Sequence, residues 1–206
     1  MKTVLKPVSI LYTDRGSKFF GYLYPVGSQQ DIDARMASLT ETYPDATHHC
    51  YAYRFDPESL NEFAQDDGEP GGTAGLPILN ALKSAELINV LAVAVRYFGG
   101  TKLGKAGLIH AYRTAAERSI EKAEIGLIYP ACRFRLTYPY SEQKRVDQII
   151  HSYELQVTGQ TYMEDVAITI ECEASRSAPL KKELQAHIHL GFKLEDGHKF
   201  FGVMKV

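Results

Sequence analysis

The stretch Leu87–Gly107, "LINVLAVAVRYFGGTKLGKAG", decides how the chain is read. Its opening run, "LINVLAVAV", is apolar and β-branched and reads as a buried strand. A glycine-rich turn follows, and after it Leu108, Tyr112, Ala115, Ser119 and Ile120 recur at helical spacing, so a long helix is predicted to about Glu124. Gly99, Gly104 and Lys105 fit the spacing G-x-x-x-x-G-K of a phosphate loop. Such a loop needs a Ser or Thr after the lysine to bind Mg²⁺, and Ala106 stands there. The nucleotide-hydrolysing reading therefore lacks a defining ligand. Two readings stay open: a turn built for tight packing, or an anion site of exposed N–H groups at a helix N-terminus, flanked by Arg96, Lys102 and Lys105.

Upstream lies "QDDGEPGGTAG", Gln65–Gly75, poor in apolar residues. Asp66, Asp67 and Glu69 could hold a hard cation such as Mg²⁺, or they could be turn residues with Thr73 capping the next helix. A further alternative has these carboxylates orienting Arg96 or Lys102 across the fold. That next helix carries Ile78, Leu79, Leu82 and Ala85 on one side and tolerates Pro77 only in its first turn. Before it, "VSILYTDRGSKFFGYLYPV" reads as a hairpin, Ser28–Tyr43 as a helix stopped by Pro44, and "THHCYAYRF" as a strand. On a strand His48 and His49 point to opposite faces and cannot readily share one ion.

Past Gly126 and Pro130 the helical rhythm is lost, which places a domain boundary near residue 130. The remainder reads as strand, helix capped by Ser141, two strands turning near Met163–Asp165, helix with Pro179 in its first turn and Gly191 just past its end, and a closing strand. That βαββαβ order is the ferredoxin-like split unit. The expected organisation is α+β, with domains 1–130 and 131–206.

At 206 residues, 45% of them hydrophobic and 23% charged, the chain can bury a core, and its net charge of -2 argues against coating nucleic acid along the whole surface. Cys50, Cys132 and Cys172 lie far apart and odd in number, as reduced thiols of a cytoplasmic protein do. There is no signal-peptide pattern and no run long and apolar enough for a membrane span, so no membrane partner is expected. Neither G-x-S-x-G nor H-E-x-x-H is present.

"DDGEPGGTAGLPIL" and "VRYFGGTKLGKAGLIHAY", with "GSKFFGYLYPV" and "DATHHCYAYRF" before them, resemble the signature of the YigZ/IMPACT family over about residues 10–115. The βαββαβ tail matches the second domain of its bacterial members. The resemblance implies an N-terminal two-layer α/β domain like domain IV of elongation factor G, with a left-handed βαβ crossover, and a C-terminal domain like domain V of that factor. For eukaryotic relatives it implies a protein partner in translational control, through inhibition of a kinase. Ala106 and His110 depart from the family pattern, which has Gly and Arg there.

The reading that follows is a non-enzymatic, translation-associated module binding RNA or the ribosome. Arg96, Tyr97, Gly99, Gly100, Lys102, Gly104, Lys105 and Gly107 would meet phosphate, and Asp66, Asp67, Glu69 and Thr73 would support them. No cofactor is expected, although those carboxylates could take a hard cation such as Mg²⁺. The alternatives are a Mg²⁺-dependent enzyme acting on a phosphorylated small molecule, and a protein-interaction regulator of translational control.

Overall fold

The computed structural model describes residues 1–205. By its internal contacts the chain divides into two compact units, Met1–Leu127 together with Val203–Lys205, and Ile128–Gly202.

In the first unit β1 (Lys2–Val4) precedes a hairpin of β2 (Val8–Asp14) and β3 (Ser17–Pro25), closed by Arg15 and Gly16, both at positive φ. Helix α1 (Gln29–Thr42) follows, with the Ser28 hydroxyl accepting from the Asp31 N–H, and Pro44 lies two residues past its end. Then come β4 (His48–Phe55), β5 (Asn61–Gln65), α2 (Gly75–Ser84), β6 (Val90–Tyr97) and α3 (Gly104–Glu121). The strands form one sheet in the order β2-β3-β6-β4-β5, and all four ladders are antiparallel. Strands β3 and β4, joined through α1, thus flank β6 and do not pair with each other.

Strand β6 is central, and every residue from Val90 to Arg96 is buried. Val90, Ala92 and Ala94 pack with Phe19, Leu23, Cys50, Ala52 and the apolar faces of α2 and α3. Leu91, Val93 and Val95 pack on the other side with Ile32 and Leu39 of α1. Helices therefore cover both faces, giving three layers where two were expected. The cause is legible in β6: a strand apolar at consecutive positions needs cover on both sides. Gly21 permits the close fit of α3, since a Cβ there would lie 2.7 Å from Ser119 Oγ and 3.1 Å from the Ala115 carbonyl oxygen.

Strand β7 (Ile125–Tyr138) opens by pairing Ile125–Leu127 with β1. It runs through Gly126 and Pro130; Pro130 falls between the residues paired with β1 and those paired with β9. In the second unit α4 (Gln143–Ser152), β8 (Gln156–Tyr162), β9 (Val166–Glu173), α5 (Ala174–Ala186), β10 (Lys193–Glu195) and β11 (Lys199–Lys205) follow, β11 ending beyond Val203. Strand β9 lies between β7 and β8, and β10 pairs antiparallel with β7. Its core gathers Phe134, Leu136, Val146, Ile168, Ile170, Leu180 and Leu184.

Two helix starts differ from expectation. Ser141 lies within a 3₁₀ turn (Tyr140–Glu142) and does not cap α4. Helix α5 begins at Ala174, a turn and more before Pro179, where Arg176 is anchored by Glu154 and the Tyr153 carbonyl. Pro179 is then interior, and Gly191 (φ 89°) ends a short 3₁₀ turn that follows the helix. Among the described residues no helix is long and apolar enough to cross a membrane.

Candidate functional site

Sheet register assembles the site. Phe19, Arg96 and His48 occupy one row across β3, β6 and β4, facing α2 and α3; Gly21, Ala94 and Cys50 form the next. The Asp66–Gly72 loop comes down over this end of the sheet, and the glycine-rich turn closes it from the other side.

Arg96 and Glu69 form the floor. Their side chains are 6% and 4% exposed, and they pair through Arg96 Nη1 and Glu69 Oε1. The Tyr112 hydroxyl donates to the same Oε1 at 2.7 Å, and His48 Nε2 approaches it to 3.7 Å. Arg96 Nη2 donates to Ser17 Oγ at 3.3 Å. The guanidinium also lies over Phe19 and Phe98, 5.5 and 5.7 Å from the ring centroids. Burial pushes the Tyr112 hydroxyl and the Cys50 thiol well up from their ordinary values. Tyr112 is therefore a neutral donor at pH 7. Cys50, whose thiol donates to the Asp66 carbonyl oxygen, is no nucleophile.

The acidic loop spends its carboxylates on folding. Asp66 accepts from the N–H groups of Gly72, Ala74 and Gly75 at 2.8, 3.0 and 2.9 Å, and so caps α2 from a distance. Burial works to raise its carboxyl, but the three N–H donors outweigh it and hold the carboxyl below the ordinary aspartate value. Asp67 sits at φ 43°; its carboxylate accepts from the His49 N–H, and its carbonyl oxygen meets His48 Nδ1 at 2.7 Å. Thr73 is buried and donates to the Pro70 carbonyl oxygen, so it closes a turn and leaves the cap of α2 to Asp66. No group of three or more His, Cys, Asp and Glu side chains is arranged to hold a metal ion among the described residues.

The glycine-rich turn divides into packed and open parts. Gly99 is pressed against the hairpin turn, where a Cβ would fall 1.8 Å from the Gly16 carbonyl carbon, and its N–H donates to Ser17 Oγ. Gly100 and Gly104 take positive φ, and space is open beside both. Gly107 lies in the first turn of α3 against Leu103. Tyr97 points to the other face of the sheet, its hydroxyl donating to Asp45. Lys102 and Lys105 are exposed, and among the described residues no side chain caps the N-terminus of α3. Between the two loops lies a cavity of about 380 Å³, lined by Glu69 and Arg96 at its floor, Lys102 and Lys105 at its rim, and Phe98 and Leu103 among its apolar walls.

Of the residues expected from the sequence to meet phosphate, the structure brings Arg96, Lys102, Gly104 and Lys105 to this cavity. Tyr97 goes to the other face. Of the acidic residues only Glu69 reaches the cavity. Phe98, Tyr112, His48 and Cys50 belong to the site or its floor and were not among the expected residues. The alternation of β4 puts His48 and Cys50 on one face, but which face meets Arg96 is set by the strand register, which the sequence does not show.

The family model described as the Impact N-terminal domain matches residues 15–120, and a domain of unknown function, DUF1949, matches residues 136–186. An IMPACT family member of Haemophilus influenzae is 32% identical over 156 residues, 75% of this chain and 76% of that one. IMPACT family member YigZ of Escherichia coli is 27% identical over 86% of this chain and 88% of its own. The protein IMPACT homolog of Dictyostelium discoideum is 36% identical, and the match spans only 31% of its length. A solved structure described as a hypothetical protein shares the fold with a TM-score of 0.66 at 24% identity, over 95% of this chain and 96% of that chain.

Proposed function

Since the chain belongs to the IMPACT family, we propose that it is a translation-associated regulatory protein that binds RNA or the ribosome through the cationic rim of this cavity. One observation carries the reading: Lys102 and Lys105 stand exposed beside an uncapped helix N-terminus, next to a turn whose open glycines allow a backbone to come close. Arg96 serves from below, holding the floor and turn in place. In the same reading the two units act as counterparts of domains IV and V of elongation factor G, and the protein works in the cytoplasm.

The test is binding of structured RNA and of ribosomal subunits across a salt series, by anisotropy and sedimentation. Affinity should fall steeply with salt, and Lys102→Ala and Lys105→Ala should each make the slope shallower by about 1. An absence of binding, or an unchanged slope in both variants, rejects the reading.

The cavity volume of about 380 Å³ also suits a Mg²⁺-dependent enzyme acting on a phosphorylated small molecule. That second reading needs a free carboxylate, and Asp66, Asp67 and Glu69 are each engaged by donors of the fold. Turnover of nucleotides and sugar phosphates with Mg²⁺ would establish it.

A further inference from the structure

We propose that the cavity is an end-recognition pocket, taking a nucleotide by its terminal phosphomonoester, with the phosphate at the start of α3 and the base against Phe98. The inference deepens the preceding reading and rests on it for one premise, that the ligand is a nucleotide.

The first support is the unfinished hydrogen bonding of Arg96. Nη1 and Nη2 have partners, but Nε, buried with the rest of this 6% exposed side chain, has none among the described residues. Buried donors without partners are rare in native proteins. Nε is shielded as the side chain stands, but Arg96 lines the cavity beside Phe98, so a small shift of the guanidinium would let an acceptor on a base stacked there complete it. Independently, α3 is 18 residues long and among the described residues no side chain caps it, leaving first-turn N–H groups and the positive end of the helix dipole at the same cavity.

Charge and shape then select the ligand. Three cations, Arg96, Lys102 and Lys105, face one carboxylate, Glu69, which the floor already engages. A phosphomonoester carries about -1.5 to -2 charges and three strong acceptor oxygens, whereas a backbone diester carries a single charge. Glu69 keeps the phosphate up at the Lys102–Lys105 rim. A volume of about 380 Å³ is near the lower end for small-molecule pockets, and the Arg96–Glu69–Tyr112 floor closes it below, so one nucleotide enters and a continuous strand does not. Phe98 is 47% exposed with the Arg96 guanidinium near its ring, which leaves aromatic surface open for a base.

A phosphomonoester can come from an RNA end or from a free nucleotide, and the experiment separates them. Anisotropy compares one RNA oligomer bearing a 5′-phosphate, a 3′-phosphate or hydroxyls at both ends, with a nucleoside 5′-monophosphate as competitor. One phosphorylated end should bind at least about tenfold tighter than the hydroxyl-ended oligomer. The gap should vanish in Lys105→Ala and shrink in Phe98→Ala; both residues are exposed, and thermal melts should confirm that both variants fold. Equal binding of all three oligomers with the salt slope intact overturns this inference and leaves the RNA reading standing. Competition by the free nucleotide as tight as the phosphorylated oligomer keeps the pocket and rejects RNA as its ligand. Binding by none of them overturns both.

Discussion

Glu69 is the residue on which the site turns. Its carboxylate is buried, so its worth depends on Arg96 and Tyr112 remaining beside it. Removing one partner of a buried pair strands the other charge, at a cost of about 3–5 kcal/mol. Arg96→Ala should therefore lower unfolding stability by about that much in urea melts, and any loss of ligand binding would follow from a damaged floor. Tyr112→Phe deletes only the hydroxyl donor and should cost about 1.5–3 kcal/mol. Lys102→Ala, at an exposed position, should stay within about 0.5 kcal/mol of the parent while weakening anion binding. A melt that shifts as far for Lys102→Ala as for Arg96→Ala would contradict this division between rim and floor.

At the scale of elements, α2 begins where Asp66 tells it to. Asp66→Ala should cost about 0.5–2 kcal/mol, the usual range for a lost cap. Because the folded state holds this carboxyl below its unfolded value, its contribution is present above the unfolded value of about 3.9 and is lost as pH falls through the lower folded value. Urea midpoints of the parent and Asp66→Asn should thus differ near neutrality and converge in acid; a gap that persists at the lowest pH would refute the assignment. Gly21→Ala should push α3 off β3, costing about 1–3 kcal/mol by overpacking. The order β6, glycine turn, α3 was legible because an apolar strand and a one-sided helix have different periods. Strand β5 was not: "NEFAQ" is short and half-polar at a sheet edge, where neither period stands out. Lys102, Lys105 and Glu69 could be picked by charge and spacing. The capping by Asp66 and the row joining Arg96 to His48 depend on register and loop closure, which no local window contains.

For the whole molecule, a net charge of -2 gives no overall attraction to nucleic acid, so the proposed RNA binding would have to be local, at the Lys102–Lys105 rim. Charge reversal at those two lysines should abolish binding, and reversal of lysines elsewhere should change it little. The two units keep separate cores, yet the first is not finished when its main sheet is. Val203–Lys205 of β11 belong to it: Met204 and Val203 lie against Gly126, and Lys205 pairs with Glu124. Truncation before Val203 should lower the stability of the first unit, read from the exchange of β1 and β7 amides, without touching the cavity. During synthesis the same arrangement sets an order of completion. The segment Ile128–Gly202 emerges from the ribosome whole, while β1, made first of all the strands, has no strand to pair with until Ile125–Leu127 of β7 is made, and Val203–Lys205 packs against that region last of all. The oldest strand in the nascent chain waits longest for its neighbours.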